Sequence, residues 1–152
     1  MQKITTYLWF DNQAEEAAAL YTSLFEDSKI VEVHRQGEGG PAMMVAFELA
    51  GQRYLALNGG PGHDFSDAIS LFVDCEDQEE VDRLWGALTA DGGKEGPCGW
   101  LTDKYGVSWQ IIPKALPRLM SDPDPARAQR AMQAMHTMTK IDVKALEDAA
   151  RG

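Results

Sequence analysis

Long hydrophobic runs are missing from this sequence. No stretch approaches the roughly 18–20 apolar residues a membrane-spanning helix needs, so no membrane span is expected. Cysteine is scarce: Cys75 and Cys98 are the only two. Two thiols, and a start that runs from Met1 into a strand-like segment without a basic leader or cleavage site, suggest a reducing cytoplasm rather than a disulfide framework. Basic residues are outnumbered, 14 against 24 acidic, for a net charge of −10. Such a chain repels phosphate backbones and anionic membranes, so neither nucleic acid nor a membrane surface is an expected partner. The charge serves solubility, with steering of a cationic ligand as the sharper alternative. The three histidines, His34, His63 and His136, show no H-x-x-x-H or H-E-x-x-H spacing, and surface or structural roles are expected for them.

The 152 residues make one domain or two small ones. A chain of this length buries about two thirds of its unfolded surface, enough for a core without staples. With 44% hydrophobic and 25% charged residues the composition is that of a globular protein.

Strand-like segments are expected at 3–10, 29–36, 43–49 and 53–57, the first rich in β-branched and aromatic residues. Between the first two, Ala14, Ala17, Ala18, Tyr21, Leu24 and Phe25 recur at helical spacing, predicting a helix over 14–25, with Asp11-Asn12 able to cap it. Gly51-Gln52 reads as a tight hairpin, and residues 58–62 (NGGPG) as a linker. The order then repeats: a strand at 68–73, a helix at 78–90 carrying Val81, Leu84, Trp85 and Leu88, and a hairpin of 99–103 with 107–112, closed by Pro113.

A shift of 64 positions lays Glu15-Glu16 on Glu79-Glu80, Leu20 on Leu84, Tyr21 on Trp85 and Leu24 on Leu88. With the strand order, this predicts an α+β fold of two tandem βαβββ modules, about 1–58 and 67–113. The tail, 114–152, is predicted helical: a short helix around Leu116, Leu119 and Met120, a helix from Asp124-Pro125 to about Met138, and a last one capped by Asp142 through Ala150. Met132, Met135 and Met138 form a stripe expected to pack on the domain or on a second subunit, with a soft ligand-binding surface as the alternative.

Several segments carry a further signal: YLWFDNQAEEAAALY at Tyr7–Tyr21, ALNGGP at Ala56–Pro61, AISLFVDCEDQEEVDRLW at Ala68–Trp85, CGWLTDKYGVSWQIIP at Cys98–Pro113 and AMQAMHTMTKID at Ala131–Asp142. Together they resemble the PhnB-like family of the glyoxalase/bleomycin-resistance (vicinal oxygen chelate) superfamily, which also bears the label 3-demethylubiquinone-9 3-methyltransferase. The resemblance implies paired βαβββ modules assembled as a homodimer. In metal-using relatives it implies a divalent ion held by His and Glu from the first and fourth strands of each module.

This sequence departs from that ligand set. The implied positions fall in Ile4–Thr6, at Ala56 or Asn58, in Ala68–Ser70 with Asp67 one step outside, and at Gln110. Thr, Ala, Asn and Gln are poor ligands for a divalent ion beside carboxylate or imidazole, so no metal and no cofactor are expected. Neither glycine cluster, Gly37-Gly39-Gly40 or Gly59-Gly60-Pro61-Gly62, suits the strand-to-helix nucleotide loop of a common S-adenosylmethionine enzyme. Cys75, beside Glu76-Asp77, and Cys98 are expected to be structural thiols, Cys98 being the less shielded by acids. No catalytic residue can be read.

The expected function is binding of a small, partly aromatic or cationic molecule in a cleft between the modules. Strand alternation predicts that Ser70 and Phe72, and Ser108 and Gln110, face that cleft, opposite Leu71, Val73, Trp109 and Ile111. Thr6 and Leu8 are the matching choices in the first strand, and Trp100, Phe47, Asn58 and Tyr54 could complete the wall. The candidate ligand-binding set is thus Thr6, Leu8, Phe47, Asn58, Ser70, Phe72, Trp100 and Gln110. Two alternatives remain: a metal-dependent lyase, isomerase or dioxygenase using Asp67 with His63 in a shifted register, and a methyltransferase.

Overall fold

The computed structural model describes residues 2–152, which divide into a unit ending at Asp64 and a unit running from Phe65 to Gly152. In the first, β1 (Thr6–Phe10), α1 (Ala14–Leu24), β2 (Lys29–Arg35), β3 (Ala42–Leu49) and β4 (Gln52–Asn58) follow in order. Their sheet runs β1-β4-β3-β2, with β1 parallel to β4 and the other pairs antiparallel. The crossover through α1 is what lets the two parallel strands lie side by side. Small residues on one stripe let α1 sit close to the sheet: Ala14, Ala17 and Ala18 are fully buried, and Tyr21 reaches the Phe47 ring at 6.4 Å between centroids. The β3–β4 hairpin turns on Ala50 and Gly51, both at positive φ, as a two-residue mirror-image turn requires.

The second unit repeats this plan with β5 (Leu71–Cys75), α2 (Gln78–Thr89), β6 (Lys94–Glu95), β7 (Trp100–Thr102) and β8 (Ser108–Pro113), ordered β5-β8-β7-β6 with β5 parallel to β8. The shift of 64 therefore carries β1 and α1 almost onto β5 and α2. Asp77 caps α2 by accepting from the Glu80 N–H, and the Glu80 carboxylate accepts from the Glu76 N–H. Val81, Leu84, Trp85 and Leu88 bury one side of that helix.

Three helices complete this unit: α3 (Ala115–Met120), α4 (Pro125–Met135) and α5 (Val143–Arg151). Asp124 and Asp142 cap the last two, as the sequence indicates. Ile112 at the end of β8 joins Leu116, Leu119, Ala131, Ile141, Leu146 and Ala150 in their common core. The fold is α+β, two βαβββ modules with a helical C-terminal extension.

Some local expectations are corrected. Gln13 precedes α1 without a side-chain cap; the first helical N–H is served by Asn58, whose Oδ1 accepts from Ala14 at 2.8 Å, so a tertiary partner replaces Asp11 and Asn12. The strand at 68–73 begins and ends later, at Leu71 and Cys75. Helix α4 stops at Met135 rather than Met138, where the His136 N–H turns back to Met132 O. Among the described residues no helix is long and apolar enough to cross a membrane.

Candidate functional site

The second sheet has one face filled by α2 and one turned away from it. Cross-strand register places Leu71 beside Trp109 and Trp109 beside Leu101, with Val73 beside Ile111. Leu101, Trp109 and Ile111 are buried under α2. Pleating then sends their neighbours to the other face: Phe72 pairs with Gln110, Gln110 with Trp100, and Asp74 with Ile112. Phe72, on the edge strand β5, stands 58% exposed there, high for an aromatic ring.

That outer face, with the helical extension, borders an open cavity of about 320 Å³ lined by Phe72, Cys98, Trp100, Gln110 and Ile112 from the sheet side and Leu116, Pro117, Met120 and Met135 from α3 and α4. The volume lies at the small end of ligand pockets. Among the described residues no charged side chain lines it. Its polar fixture is Gln110, whose Nε2 donates to Ser70 Oγ at 3.0 Å. That bond orients the amide and leaves Gln110 Oε1 as an acceptor for an incoming N–H or O–H.

The sequence-based candidates divide accordingly. Phe72, Trp100 and Gln110 come together in the cavity wall, and Ser70 holds Gln110. Thr6, Leu8, Phe47 and Asn58 do not join them. In the first sheet β1 and β4 pair Thr6 with Tyr54, Leu8 with Ala56 and Phe10 with Asn58, all on the α1 face. Leu8 and Phe47 are buried, and Phe47 stacks on Tyr54 with centroids 5.5 Å apart. Asn58 spends both ends of its amide on structure, accepting from the Ala14 N–H and donating to Ala42 O. A single-residue shift in register separates expectation from outcome here.

The NGGP segment is likewise structural. A Cβ on Gly59 would lie 2.2 Å from the Trp9 ring, so only glycine allows that approach, and Gly60 O accepts from Trp9 Nε1 at 3.0 Å. The glycines after β2 join two antiparallel strands and open no helix.

The two cysteines differ in setting. Cys75 is buried, and desolvation followed by the negative charges of Glu80 and Asp74 pushes its thiol up to about 12. These acids, rather than Glu76 and Asp77, are the ones that bear on it. Cys98 is half-buried in the cavity wall, at a positive φ of 57°. Burial and the raised pKa together keep the Cys75 thiol protonated and out of reach of solvent. Iodoacetamide on the native protein is therefore expected to modify Cys98 and to spare Cys75 until the chain unfolds. Peptide mass mapping checks this, and early modification of Cys75 would contradict it.

The residues at the metal-ligand positions of the resemblance do not fit a divalent ion. Asn58 and Gln110 are neutral amides already oriented by other bonds. Asp67 lies in an exposed turn before β5, and His34 pairs with Glu32. Among the described residues no three His, Cys, Asp or Glu side chains gather as a ligand set.

The cavity members missed from sequence are Cys98, Ile112, Leu116, Pro117, Met120 and Met135. The methionine stripe was the one usable signal: Met135 lines the cavity, Met138 packs on the helical core and Met132 is exposed.

The family described as 3-demethylubiquinone-9 3-methyltransferase matches residues 2–112. Among solved structures, a PhnB protein from Bacillus cereus bearing the same methyltransferase name is 39% identical with a TM-score of 0.66, covering 74% of this chain and 99% of its own. Protein PA1353 from Pseudomonas aeruginosa is 19% identical with a TM-score of 0.63, covering 75% and 98%. The fosfomycin resistance protein FosX from Listeria monocytogenes, solved with Mn(II) and sulfate, is 16% identical with a TM-score of 0.52, covering 72% and 90%. The last two share the fold. No curated protein matches this chain.

Proposed function

Since this chain belongs to the PhnB-like family that carries the 3-demethylubiquinone-9 3-methyltransferase name, we propose that it is a member that binds a small uncharged molecule, without a metal, in the cavity on the outer face of its second sheet. The observation that carries this reading is the convergence of Phe72, Trp100 and the oriented amide of Gln110 on one apolar cavity of about 320 Å³. Aromatic walls supply contact area, and one fixed acceptor selects orientation. An anion meets no cation in this lining, and a cation meets no carboxylate. The family name does not supply a methyl-transfer site, because neither glycine cluster forms a strand-to-helix loop. A homodimer in the cytoplasm belongs to the same proposal, supported by the resemblance and by two cysteines left unpaired.

N-phenyl-1-naphthylamine, a neutral aromatic probe with one N–H, tests the reading. It is expected to bind with one-to-one stoichiometry, raise the melting temperature, and slow alkylation of Cys98. Mn, Ni and Zn salts are expected to leave the melting temperature unchanged. No probe binding, or a stabilising metal at one ion per chain, would overturn the proposal.

A further inference from the structure

The helical extension lies beyond the family match, which ends at residue 112. The Bacillus cereus relative is spanned almost end to end by 74% of this chain, so about a quarter of the chain has no counterpart in it. This added segment supplies Leu116, Pro117, Met120 and Met135, one whole side of the cavity.

The segment is firmly tied to the module it covers. The Cys98 and Gly99 N–H groups donate to Met138 O and Thr139 O, both at 2.8 Å. The Gln78 side chain brackets the next crossing, its Nε2 donating to Ile141 O at 2.9 Å and its Oε1 accepting from the Val143 N–H at 2.7 Å. Lys140 pairs with Asp82 at 2.8 Å, and Ile141 is fully buried. The backbone that carries the wall is therefore fixed, while the side chains it turns to the cavity are the adaptable ones. Met120 and Met135 are only partly buried, and the unbranched thioether can take several shapes.

Resting on the binding reading above, we infer that the extension is the specificity wall of the cavity. The sheet residues Phe72, Trp100 and Gln110 hold the ligand's planar, hydrogen-bonding end, and Met120, Met135 and Pro117 set how large an apolar remainder can follow. The ligand class is a neutral, partly aromatic molecule with one N–H or O–H donor and an apolar substituent. The apolar lining, the single oriented acceptor and the aromatic pair at one end carry this assignment.

Two probes separate the wall from the sheet: 1-naphthol, with two fused rings and one hydroxyl, and the larger N-phenyl-1-naphthylamine. Met135→Trp fills the far side. It is expected to weaken the larger probe roughly tenfold while shifting 1-naphthol by less than about threefold. Pro117→Trp, at an exposed rim position, is expected to change selectivity in the same direction and guards against misfolding of the first variant. Gln110→Leu is expected to weaken both probes together. Equal losses for both probes in the wall variants, or no change in either, with Gln110→Leu still effective, overturn the specificity wall and leave the binding reading standing. Failure of the unaltered protein to bind either probe overturns both. A change in molecular mass on Met135→Trp with no probe binding would mean that a second copy covers the cavity instead, which also overturns both.

Discussion

Asp103→Ala is expected to lower the stability of the protein by about 3–5 kcal/mol, a loss at the upper end for a single polar substitution. Asp103 is 3% exposed. Its Oδ1 accepts from the Tyr105 N–H at 2.9 Å and the Val107 N–H at 3.0 Å, and its Oδ2 accepts from Trp109 Nε1 at 2.9 Å. One carboxylate thus closes the β7–β8 turn and holds the largest fully buried side chain of the sheet. Alanine would remove the partner of three donors, two of them buried, and each unsatisfied buried donor costs more than a made bond contributes. Asp103→Asn should recover only part of the loss, since an amide nitrogen must then face one of those donors. Urea denaturation followed by tryptophan fluorescence reads both. A loss below about 1 kcal/mol for Asp103→Ala would sink this account. The effect should reach the cavity as well, because Trp109 and Gln110 are neighbours on opposite faces of β8.

The second large effect is expected at Gly99. Gly99→Ala should cost about 2–4 kcal/mol and loosen the extension from the sheet. Gly99 has φ +84°, and an added Cβ would lie 2.7 Å from Ile112 Cδ1, 3.1 Å from Ile141 Cγ1 and 3.2 Å from Ile111 O. Left-handed backbone and crowding act together here. The cost separates in a double-mutant cycle, because Ile112→Val removes the nearest atom. If crowding dominates, Ile112→Val in the Gly99→Ala background should restore part of the loss. If backbone strain dominates, it should restore none. Hydrogen exchange over α4 and α5 should accelerate in Gly99→Ala, since the Gly99 N–H anchors Thr139. Unchanged exchange with unchanged stability would refute the expectation.

The two sheets differ in how much of their face assignment could be read in advance. In β8, Ser108 and Gln110 alternate with Trp109 and Ile111, so polarity picks the inward face and β5 follows by pairing. In β1, Tyr7, Leu8, Trp9 and Phe10 are all large and apolar, and alternation has nothing to choose between. The choice there came from α1: small alanines draw the helix down onto Leu8, Phe10 and Phe47, and Asn58 fixes the register by bonding the helix start.

The sequence by itself determined the module plan, through the 64-residue repetition of helix stripe and strand order, and the family, through the segments between Tyr7 and Pro113. Period-two alternation, being local, also put Ser70 with Phe72 and Ser108 with Gln110 on the faces away from the helix, while the placing of Trp100 beside Gln110 came from the strand pairing. Only the tertiary structure decided that Thr6, Leu8, Phe47 and Asn58 serve the core and a helix cap, because a one-residue slip is invisible where both faces are apolar. The tertiary structure alone placed Met120 and Met135 opposite Gln110, since that meeting depends on Gln78, Gly99 and Ile141 bringing distant segments together. Contacts of such sequence separation leave no local period to read.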